Sequence, residues 1–173
     1  MLPPINLQQW IADHQQFLQP PVCNKQIYEM GDFIIMAIGG PNSRKDYHDD
    51  PGEEFFYQIK GDMVLRVMQD GAPKDIQIKE GELFLLPSHV HHSPQRREGS
   101  VGLVIERKRT ADERDGFVWY CDACHSKLHE EFVALQNIVT DLPPLFKRFW
   151  DNAEHRTCKA CGHVMPVAPS QAK

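Results

Sequence analysis

Residues 44–61, RKDYHDDPGEEFFYQIKG, combine candidate metal ligands with turn residues at a regular spacing. Glu54 comes six residues after His48, and Gly61 comes after a further seven. The run that begins at Glu54 is rich in aromatic and apolar residues, as strands are, and the glycine marks its end. The stretch therefore predicts a β-strand that starts with a carboxylate and follows a histidine.

A second stretch, FLLPSHVHHSPQR at residues 84–96, supplies another histidine, His92, five residues after Pro87. In an antiparallel barrel, the hairpin between the two stretches would bring them onto neighbouring strands, where His92 would meet His48 and Glu54. Two imidazoles and one carboxylate form the ligand set of non-haem Fe(II) oxygenases, which leaves coordination positions open. A histidine near acidic residues is often a solvated surface group, but the combined spacing favours a metal site.

Short strand-like runs surround these stretches, and turn residues such as Asp70-Gly71 separate them. No helical pattern intervenes, which predicts an antiparallel sandwich or barrel. The predicted strands span residues 33–38, 54–59, 63–68, 76–78, 83–86 and 101–106. Before them, residues 6–20 fit an amphipathic helix that Asn6 caps.

The length and charge of the chain restrict its function class. A chain of 173 residues fits one domain with at most a small appendage. Lys and Arg total 19 against 24 Asp and Glu, a net charge of -5 that gives no support for nucleic-acid binding. The longest apolar run, residues 33–38, is far shorter than the ~20 residues of a membrane helix. Because the N-terminal residues also lack a signal sequence, we expect a cytoplasmic protein with reduced cysteines and no membrane association.

Four cysteines form two C-x-x-C pairs, Cys121 with Cys124 and Cys158 with Cys161. Each pair places two thiolates on one tight turn, and two such turns supply the four sulfurs of a tetrahedral metal site. Zinc and a single iron suit these ligands equally, and a closed site indicates a structural role. Cys23 stands alone and fits an ordinary small buried residue.

The two histidine stretches resemble the two motifs of the cupin superfamily. The His–Glu–Gly spacing described above matches the first motif, and Gly81, Pro87 and His92 match the second. Asp50 stands where many cupins carry another histidine, so a two-His-plus-Glu set replaces three-His-plus-Glu, and His89 replaces the usual glycine after Pro87. The resemblance implies a double-stranded β-helix, or jelly-roll barrel.

Further segments make the resemblance more specific. LVIER at residues 103–107, WYCDAC at 119–124 and IVTDLPPLF at 138–146 join the two motif stretches. Together they resemble bacterial 3-hydroxyanthranilate 3,4-dioxygenases over most of the chain. The resemblance implies a homodimeric enzyme in which Fe(II) and O2 open the ring of 3-hydroxyanthranilate to 2-amino-3-carboxymuconate semialdehyde. That product leads to quinolinate and NAD in some organisms, and the cleavage serves aromatic catabolism in others.

The resemblance also implies residue roles. His48, Glu54 and His92 would hold the catalytic iron, and the four cysteines would hold a second iron, or zinc. The residues expected to face substrate and O2 are Arg44, Glu54, Arg96 and Glu106. Asn24, in a loop at residues 22–24, either contacts the substrate or serves as an ordinary turn residue. The planar guanidinium of Arg96 suits the carboxylate of the substrate, which it can bind through two parallel hydrogen bonds.

The chain is expected to divide into a cupin catalytic domain, residues 1–115, and an extension with a rubredoxin-like four-cysteine site, residues 116–173. In the extension, a helix is predicted from a capping Asp141 with Pro143-Pro144 in its first turn, whereas residues 128–138 fit helix or strand. Two other function classes stay open. One is another cupin dioxygenase or a metal-dependent isomerase. The other is a zinc-ribbon binding or regulatory protein, against which the mixed charge of the cysteine region argues.

Overall fold

A computed structural model describes residues 3–20, 23–136 and 138–167 of the chain. In this part, two antiparallel sheets of five and seven strands enclose a shared apolar core. A short helix precedes the sheets and a four-cysteine cluster follows them, so the predicted mainly-β jelly-roll class is confirmed. Among the described residues, no helix is long and apolar enough to cross a bilayer.

The chain passes repeatedly between the two sheets. Its strands are β1 (Asn24–Gln26), β2 (Phe33–Gly39), β3 (Asn42–Ser43), β4 (Asp46–Asp49), β5 (Glu54–Lys60), β6 (Met63–Gln69), β7 (Ala72–Ile78), β8 (Leu83–Leu86), β9 (His92–Arg96), β10 (Val101–Arg107), β11 (Asp115–Tyr120) and β12 (Lys127–Val133). The five-stranded sheet has the order β1-β2-β10-β5-β8. The seven-stranded sheet has the order β12-β11-β4-β9-β6-β7, with β3 paired to β9.

The predicted strands agree closely with the observed ones. β2, β5, β6, β8 and β10 begin at the predicted residues, and β7 begins four residues earlier than predicted. The β6–β7 hairpin turns at Asp70 and Gly71, whose positive φ angles of 53° and 77° match the twist of the paired strands. The sequence does not predict β1, β3 or β11. It places the two histidine stretches on neighbouring strands without giving bounds for β4 and β9, and it leaves the stretch that forms β12 undecided between helix and strand.

Alternate residues of the strands point into the space between the sheets. On β5, Phe56 is 1% exposed, whereas Phe55 and Tyr57 on either side are half-buried. Burial of these side chains, at roughly 25 cal/mol per Å² of apolar surface, stabilises the barrel. The barrel core consists of Met36, Phe56, Met63, Leu65, Val67, Ile78, Leu86 and Val104.

The N-terminal helix α1 (Leu7–Asp13) begins as predicted, because the side-chain oxygen of Asn6 accepts the backbone N–H of Gln9 at 3.0 Å. It ends earlier than predicted. The ring nitrogen Nδ1 of His14 lies 2.7 Å from the carbonyl oxygen of Trp10. In a continuing α-helix this carbonyl would accept the backbone N–H of His14, so the side chain replaces the backbone donor and the helix ends.

The C-terminal region packs against β11. Helices α2 (Ile138–Asp151) and α3 (Ala153–Arg156) follow β12, and Trp119 of β11 stacks on Phe149 of α2 with ring centroids 4.3 Å apart. β11 pairs with β4 of the barrel on one side and with β12 on the other. The predicted boundary after residue 115 therefore falls at the start of a strand that joins the barrel to the extension.

Two details of the extension differ from expectation. Asp141 is not the N-cap, because α2 begins three residues earlier, and its carboxylate instead accepts the backbone N–H of Gln136 at 3.0 Å. Pro143 and Pro144 consequently lie in the second turn of α2 rather than in its first. The undecided stretch from residue 128 is largely strand, since β12 pairs along β11 up to Val133.

Candidate active site and cysteine cluster

Two histidines face each other across neighbouring strands. His48 of β4 and His92 of β9 are paired residues, and their ring centroids lie 5.2 Å apart. His92 is 1% exposed and His48 is half-buried. The barrel topology thus brings together the two stretches that are separate in the sequence.

Glu54, the first residue of β5, completes this group. Its Oε1 lies 2.8 Å from Nε2 of His92 and 3.2 Å from Nδ1 of His48. The same oxygen is buried and makes no hydrogen bond of acceptable geometry. Three ligand atoms within 4.8 Å of one another that do not bond to each other suit a cation between them. The group could therefore hold a metal ion.

Surrounding groups fix both rings. Nε2 of His48 lies 2.8 Å from Oδ1 of Asp115, and Phe117 stacks on the same ring at 5.2 Å. Nδ1 of His92 lies 2.8 Å from the carbonyl oxygen of Val90. Burial disfavours the charged form of His48, but the neighbouring carboxylates of Asp115 and Glu54 outweigh it and raise the pKa of His48 to about 10. The excess of negative charge that causes this shift also favours a bound cation.

The carboxylate itself is held in its charged form. Burial would raise the pKa of Glu54, but the neighbouring imidazoles of His92 and His48 lower it well below its usual range. An ionised oxygen is the form that binds a metal.

Along β5 and β10, starting from Glu54, the side chains that point into the barrel are first polar, then apolar and then polar again. The next inward pair on β5 and β10 is Phe56 with Val104, and the following pair is Gln58 with Gly102. Phe56 and Val104 are 1% and 3% exposed and form an apolar wall. At the level of Gln58, Arg96 of β9 donates from Nη1 to Oε1 of that amide at 3.0 Å. Carboxylates, an apolar wall and a guanidinium therefore follow one another along the interior.

Arg96 is a buried cation without a counter-ion. It is 4% exposed, and its Nε has no hydrogen-bond partner. Within the described ranges, no carboxylate lies within 4.0 Å of its guanidinium nitrogens. Burial lowers the pKa of Arg96 to about 10. A guanidinium in this state is suited to bind an anion.

Arg44 differs from Arg96 because it already has a carboxylate partner. Its Nε donates to both oxygens of Asp46 at 3.2 and 3.1 Å, and Nη2 donates to the same group. Its guanidinium carbon lies 5.7 Å from the ring centroid of Phe146 in α2. Burial would lower the pKa of Arg44, but Asp46 raises it.

Glu106 lies beside Glu54 on the neighbouring strand β10. Burial and the negative charge of Glu54 raise the pKa of Glu106 to about 8. Nη2 of Arg109 donates to Glu106 at 3.2 Å and to Asp50 at 2.6 Å. Asp50, which occupies the position of the additional cupin histidine, therefore binds a guanidinium in this chain.

Asn24 lies apart from this constellation in the topology. It is the first residue of β1 and pairs with Ile38 at the edge of the five-stranded sheet. Val22, in the predicted loop, lies outside the described residues. Cys23, which follows, has a φ of 59°, and its thiol donates to the carbonyl of Pro41 at 3.7 Å. A substrate contact by Asn24 stays a prediction.

The four remaining cysteines form a separate cluster of free thiols. The sulfur of Cys121 lies 3.7 Å from that of Cys161, and the sulfur of Cys124 lies 3.5 Å from that of Cys158. Four sulfurs at ~2.3 Å from a tetrahedral ion are ~3.8 Å apart, so these distances fit a closed four-thiolate site.

The two C-x-x-C segments fold alike. The backbone N–H of His125 donates to the carbonyl of Cys121, and that of Gly162 donates to the carbonyl of Cys158, both at 2.9 Å. His125 and Gly162 also share a left-handed backbone, with φ angles of 61° and 76°. This reversal four residues after each first cysteine presents both sulfurs of a pair to the same point.

Three residues at the site are absent from the sequence prediction: Arg109, Asp115 and Phe117. Residues 110–116, TADERDG, are polar and charged, a pattern that predicts a linker with solvated side chains. Asp115 lies in this stretch and Arg109 directly precedes it. The available signal is the aromatic alternation of Phe117 and Trp119, which indicates a strand directly after Asp115.

Comparison with known proteins agrees with this site. A family model described as 3-hydroxyanthranilic acid dioxygenase matches residues 1–150. The 3-hydroxyanthranilate 3,4-dioxygenase of Xanthomonas euvesicatoria pv. vesicatoria is 54% identical over 167 residues, 96% of this chain and 94% of that protein. The enzyme of the same name from Paraburkholderia phytofirmans is 55% identical over 164 residues, 94% of each chain.

Solved structures of lower similarity are also found. A cupin-2 domain containing protein from Shewanella frigidimarina has a TM-score of 0.45 and 21% identity, and the match covers 60% of this chain and 93% of that chain. The family model and the relatives together establish the assignment. The chain belongs to the 3-hydroxyanthranilic acid dioxygenase family.

Proposed function

We propose that this chain uses O2 to cleave the ring of 3-hydroxyanthranilate, giving 2-amino-3-carboxymuconate semialdehyde, with Fe(II) bound by His48, Glu54 and His92. The observation that carries the proposal is the convergence of three ligand atoms within 4.8 Å of one another. Two nitrogens and one carboxylate oxygen leave other positions of an iron open. The relatives with 54% and 55% identity carry the name of this enzyme.

Bound Fe(II) would supply neighbouring coordination positions for O2 and for the hydroxyl and amine of the substrate. The chain itself orients the ring, and much of the rate of such a reaction comes from this positioning. Phe56 and Val104 are the apolar residues that follow Glu54 and Glu106 in the barrel interior, and they are 1% and 3% exposed. The ring centroid of Phe56 lies 6.2 Å from that of His92, and we place the substrate ring beside this apolar wall.

Arg96 is our candidate for binding the substrate carboxylate. Its buried guanidinium has an unused Nε–H and a neutral partner, Gln58, instead of a counter-ion. A substrate anion would remove the cost of this unpaired charge and would in turn be held by parallel N–H donors.

Arg44, Glu106 and Asn24 complete the assignment. We assign to Glu106 the acceptance or donation of a proton at the substrate, because burial and the negative charge of the neighbouring Glu54 raise the pKa of this carboxyl to about 8. Arg44 would be a second cation at the site, shared with Asp46. Asn24 would contact the substrate from the β1 edge.

A second metal, iron or zinc, would bind Cys121, Cys124, Cys158 and Cys161. Because four thiolates close the coordination sphere, this ion would have no position for a substrate. It would instead join two chain segments on either side of α2, and so stabilise the extension.

We also propose that two copies associate through the outer face of the five-stranded sheet. This face is apolar across four strands, since the pairing aligns its side chains in rows. Phe33, Leu83 and Leu85 are 61%, 64% and 52% exposed. The face consists of Phe33, Ile35, Phe55, Tyr57, Leu83, Leu85, Leu103 and Ile105.

The extent of this face suits a second copy of the chain. A fully exposed side chain of this size presents roughly 150–200 Å². Because three of the eight are 52–64% exposed and the other five are half-buried, the eight together offer on the order of 500 Å². That is more than half of the ~800 Å² that each partner buries in a stable dimer. Exposed apolar patches of this extent commonly mark protein interfaces.

The proposed activity can be tested by O2 uptake. Protein loaded with Fe(II) in the absence of air should, on addition of O2 and 3-hydroxyanthranilate, consume one O2 per substrate and form the absorbing semialdehyde. Uptake with catechol or a thiol but not with 3-hydroxyanthranilate would replace the proposal with another cupin dioxygenase. No uptake by protein with a full His48–Glu54–His92 site would exclude a dioxygenase.

A further inference from the structure

Asp115 joins a candidate metal ligand to a buried cation. It is 0% exposed at the start of β11, and its Oδ1 lies 2.8 Å from Nε2 of His48. From the other side, Nε of Arg109 donates to both oxygens of Asp115 at 3.1 Å, and Nη2 donates to Oδ1 at 2.6 Å. One carboxylate therefore holds an imidazole and a guanidinium at once.

Several contacts fix Arg109 in turn. Its side chain is 8% exposed, and Nη1 donates to the carbonyl of Arg107 at 2.9 Å. Nη2 also donates to Asp50 at 2.6 Å and to Glu106 at 3.2 Å. Arg109 thus ties the loop after β10 to β11 and to the end of β4. The planar guanidinium of Arg109 carries several N–H donors in fixed directions, so it can hydrogen-bond to several carboxylates at once. A lysine ammonium cannot reproduce this geometry.

We propose that Arg109 and Asp115 are positioning residues that set the tautomer and orientation of His48 for metal binding. This inference rests on the proposed function. An ionised carboxylate only accepts hydrogen bonds, so Nε2 of His48 carries the hydrogen that points to Asp115. Nδ1, which lies 3.2 Å from Oε1 of Glu54, is then the nitrogen that gives up its proton and binds the metal.

Arg109 supplies the counter-charge that a fully buried carboxylate requires. Without it, Asp115 would have His48 as its main partner, and the two would no longer be held by the surrounding loops. Hydrogen bonds to the second nitrogen of a ligating histidine commonly change metal affinity by about 10–100-fold.

Three variants separate a positioning role from a merely structural one. Asp115→Asn keeps the size of the side chain but removes its charge. Arg109→Lys keeps the positive charge but removes the planar guanidinium, which donates to Asp115 from both Nε and Nη2. Arg107→Lys is the matched control, because Arg107 lies two residues away and pairs with the loop residue Glu113 instead of with Asp115.

Mn(II) binding to the metal-free full chain is the direct readout. Mn(II) prefers nitrogen and oxygen ligands to thiolates, so it reports on the histidine site rather than on the cysteine cluster. Free Mn(II) is counted by its EPR signal. We expect Asp115→Asn to weaken Mn(II) binding 10–100-fold and Arg109→Lys to weaken it about 10-fold. Arg107→Lys should bind like the wild type.

The double variant tests whether the two residues act together. If Arg109 works through Asp115, the combined change should weaken Mn(II) binding no more than Asp115→Asn alone. In Asp115→Asn, the KM for 3-hydroxyanthranilate at saturating Fe(II) should stay near the wild-type value, because Asp115 contacts His48 and Arg109 and is not placed against the substrate. Arg109→Lys is left out of this readout, because Nη2 of Arg109 also donates to Glu106.

Three results would overturn the proposal. One is wild-type Mn(II) affinity in both single variants, and another is a loss that adds fully in the double variant. If Asp115→Asn does not fold, the charge-conserving Arg109→Lys decides between the same outcomes. Finally, if His92→Ala bound Mn(II) as tightly as the wild type, the metal site of the proposed function would be wrong, and the positioning role would fall with it.

Discussion

His48 and His92 are directly paired across β4 and β9, and this one register pair places their imidazoles 5.2 Å apart. The candidate metal site therefore depends on how two strands meet, not on a single loop. β9 is also paired to β6, and β4 is also paired to β11. Each ligand strand is thus held on both sides, which limits the movement of the ligands.

Replacement of His92 by Ala should remove activity and about one metal ion per chain, because two remaining ligands bind Fe(II) weakly. Glu54→Ala and His48→Ala should behave in the same way. Metal analysis and circular dichroism measure the loss and the integrity of the fold. Turnover near the wild-type rate in His92→Ala would show that the site is assigned to the wrong residues.

The strands that the sequence predicts are those whose inward residues are apolar. β6, with Met63, Leu65 and Val67 buried, alternates clearly and is predicted from its first residue. β4 and β9 read DYHD and HSPQR, since their inward residues include the polar groups of the site. A strand that carries polar site residues on its inward face lacks the alternation of apolar and polar residues by which strands are predicted from sequence.

The same limit applies to the site itself. The spacing of His48, Glu54 and His92 predicts a group that the structure does bring together. Arg109 and Asp115 depend on contacts between segments that are distant in the chain, and their neighbours in the sequence fit a solvated linker. Only the folded pairing of β11 with β4 puts Asp115 behind His48.

Paired Cys158→Ser and Cys161→Ser changes should remove the second metal and lower the melting temperature. Loss of a structural metal costs several kcal/mol, which in a chain of this size lowers Tm by roughly 10 °C. Cys23→Ser is the control, because this thiol lies outside the cluster. Unchanged stability together with lost turnover would instead indicate that the cysteine-bound metal takes part in the reaction.

Leu85→Lys should convert a dimer into monomers, because it places a charge on the apolar outer sheet face, at the exposed end of the row Ile35, Ile105, Phe55 and Leu85. Val164→Lys is the control, since this residue is also exposed, at 49%, but belongs to the cysteine region. Sedimentation velocity measures the masses of the variants. A wild-type monomer, or an unaffected dimer in Leu85→Lys, would contradict the proposed interface.

Gly102→Ala should disturb the Arg96–Gln58 pair without touching the metal ligands. A Cβ at this position would lie 2.7 Å from Oε1 of Gln58 and 2.8 Å from Nη1 of Arg96, so one of the two buried side chains must move. We expect the KM for 3-hydroxyanthranilate to rise about 10-fold, the scale of one weakened hydrogen bond to a charged group, with metal content unchanged. Loss of metal would mean that the change disrupts the barrel instead.

Arg96→Ala should lower kcat/KM for 3-hydroxyanthranilate by roughly two orders of magnitude, the scale of a lost charge-assisted contact at ~3 kcal/mol. A substrate held by metal chelation alone could exchange its two donor atoms, whereas a second contact on its carboxylate fixes which ring bond faces O2. Arg96→Lys should recover only part of the loss, because a point charge keeps the attraction but loses the fork. Steady-state O2 uptake measures all three proteins.

The control for Arg96 is a substrate rather than a variant. 2-Aminophenol keeps the two donor atoms but lacks the carboxylate, so it should be a poor substrate for the wild type and should lose little in Arg96→Ala. We expect this difference between the two substrates because, among the described residues, no carboxylate lies close enough to Arg96 to pair with it. The guanidinium is therefore free to bind the carboxylate of 3-hydroxyanthranilate, which 2-aminophenol lacks. Equal losses for both substrates would show that Arg96 supports the barrel or acts on O2, and Arg44 would then be the better candidate for the carboxylate contact.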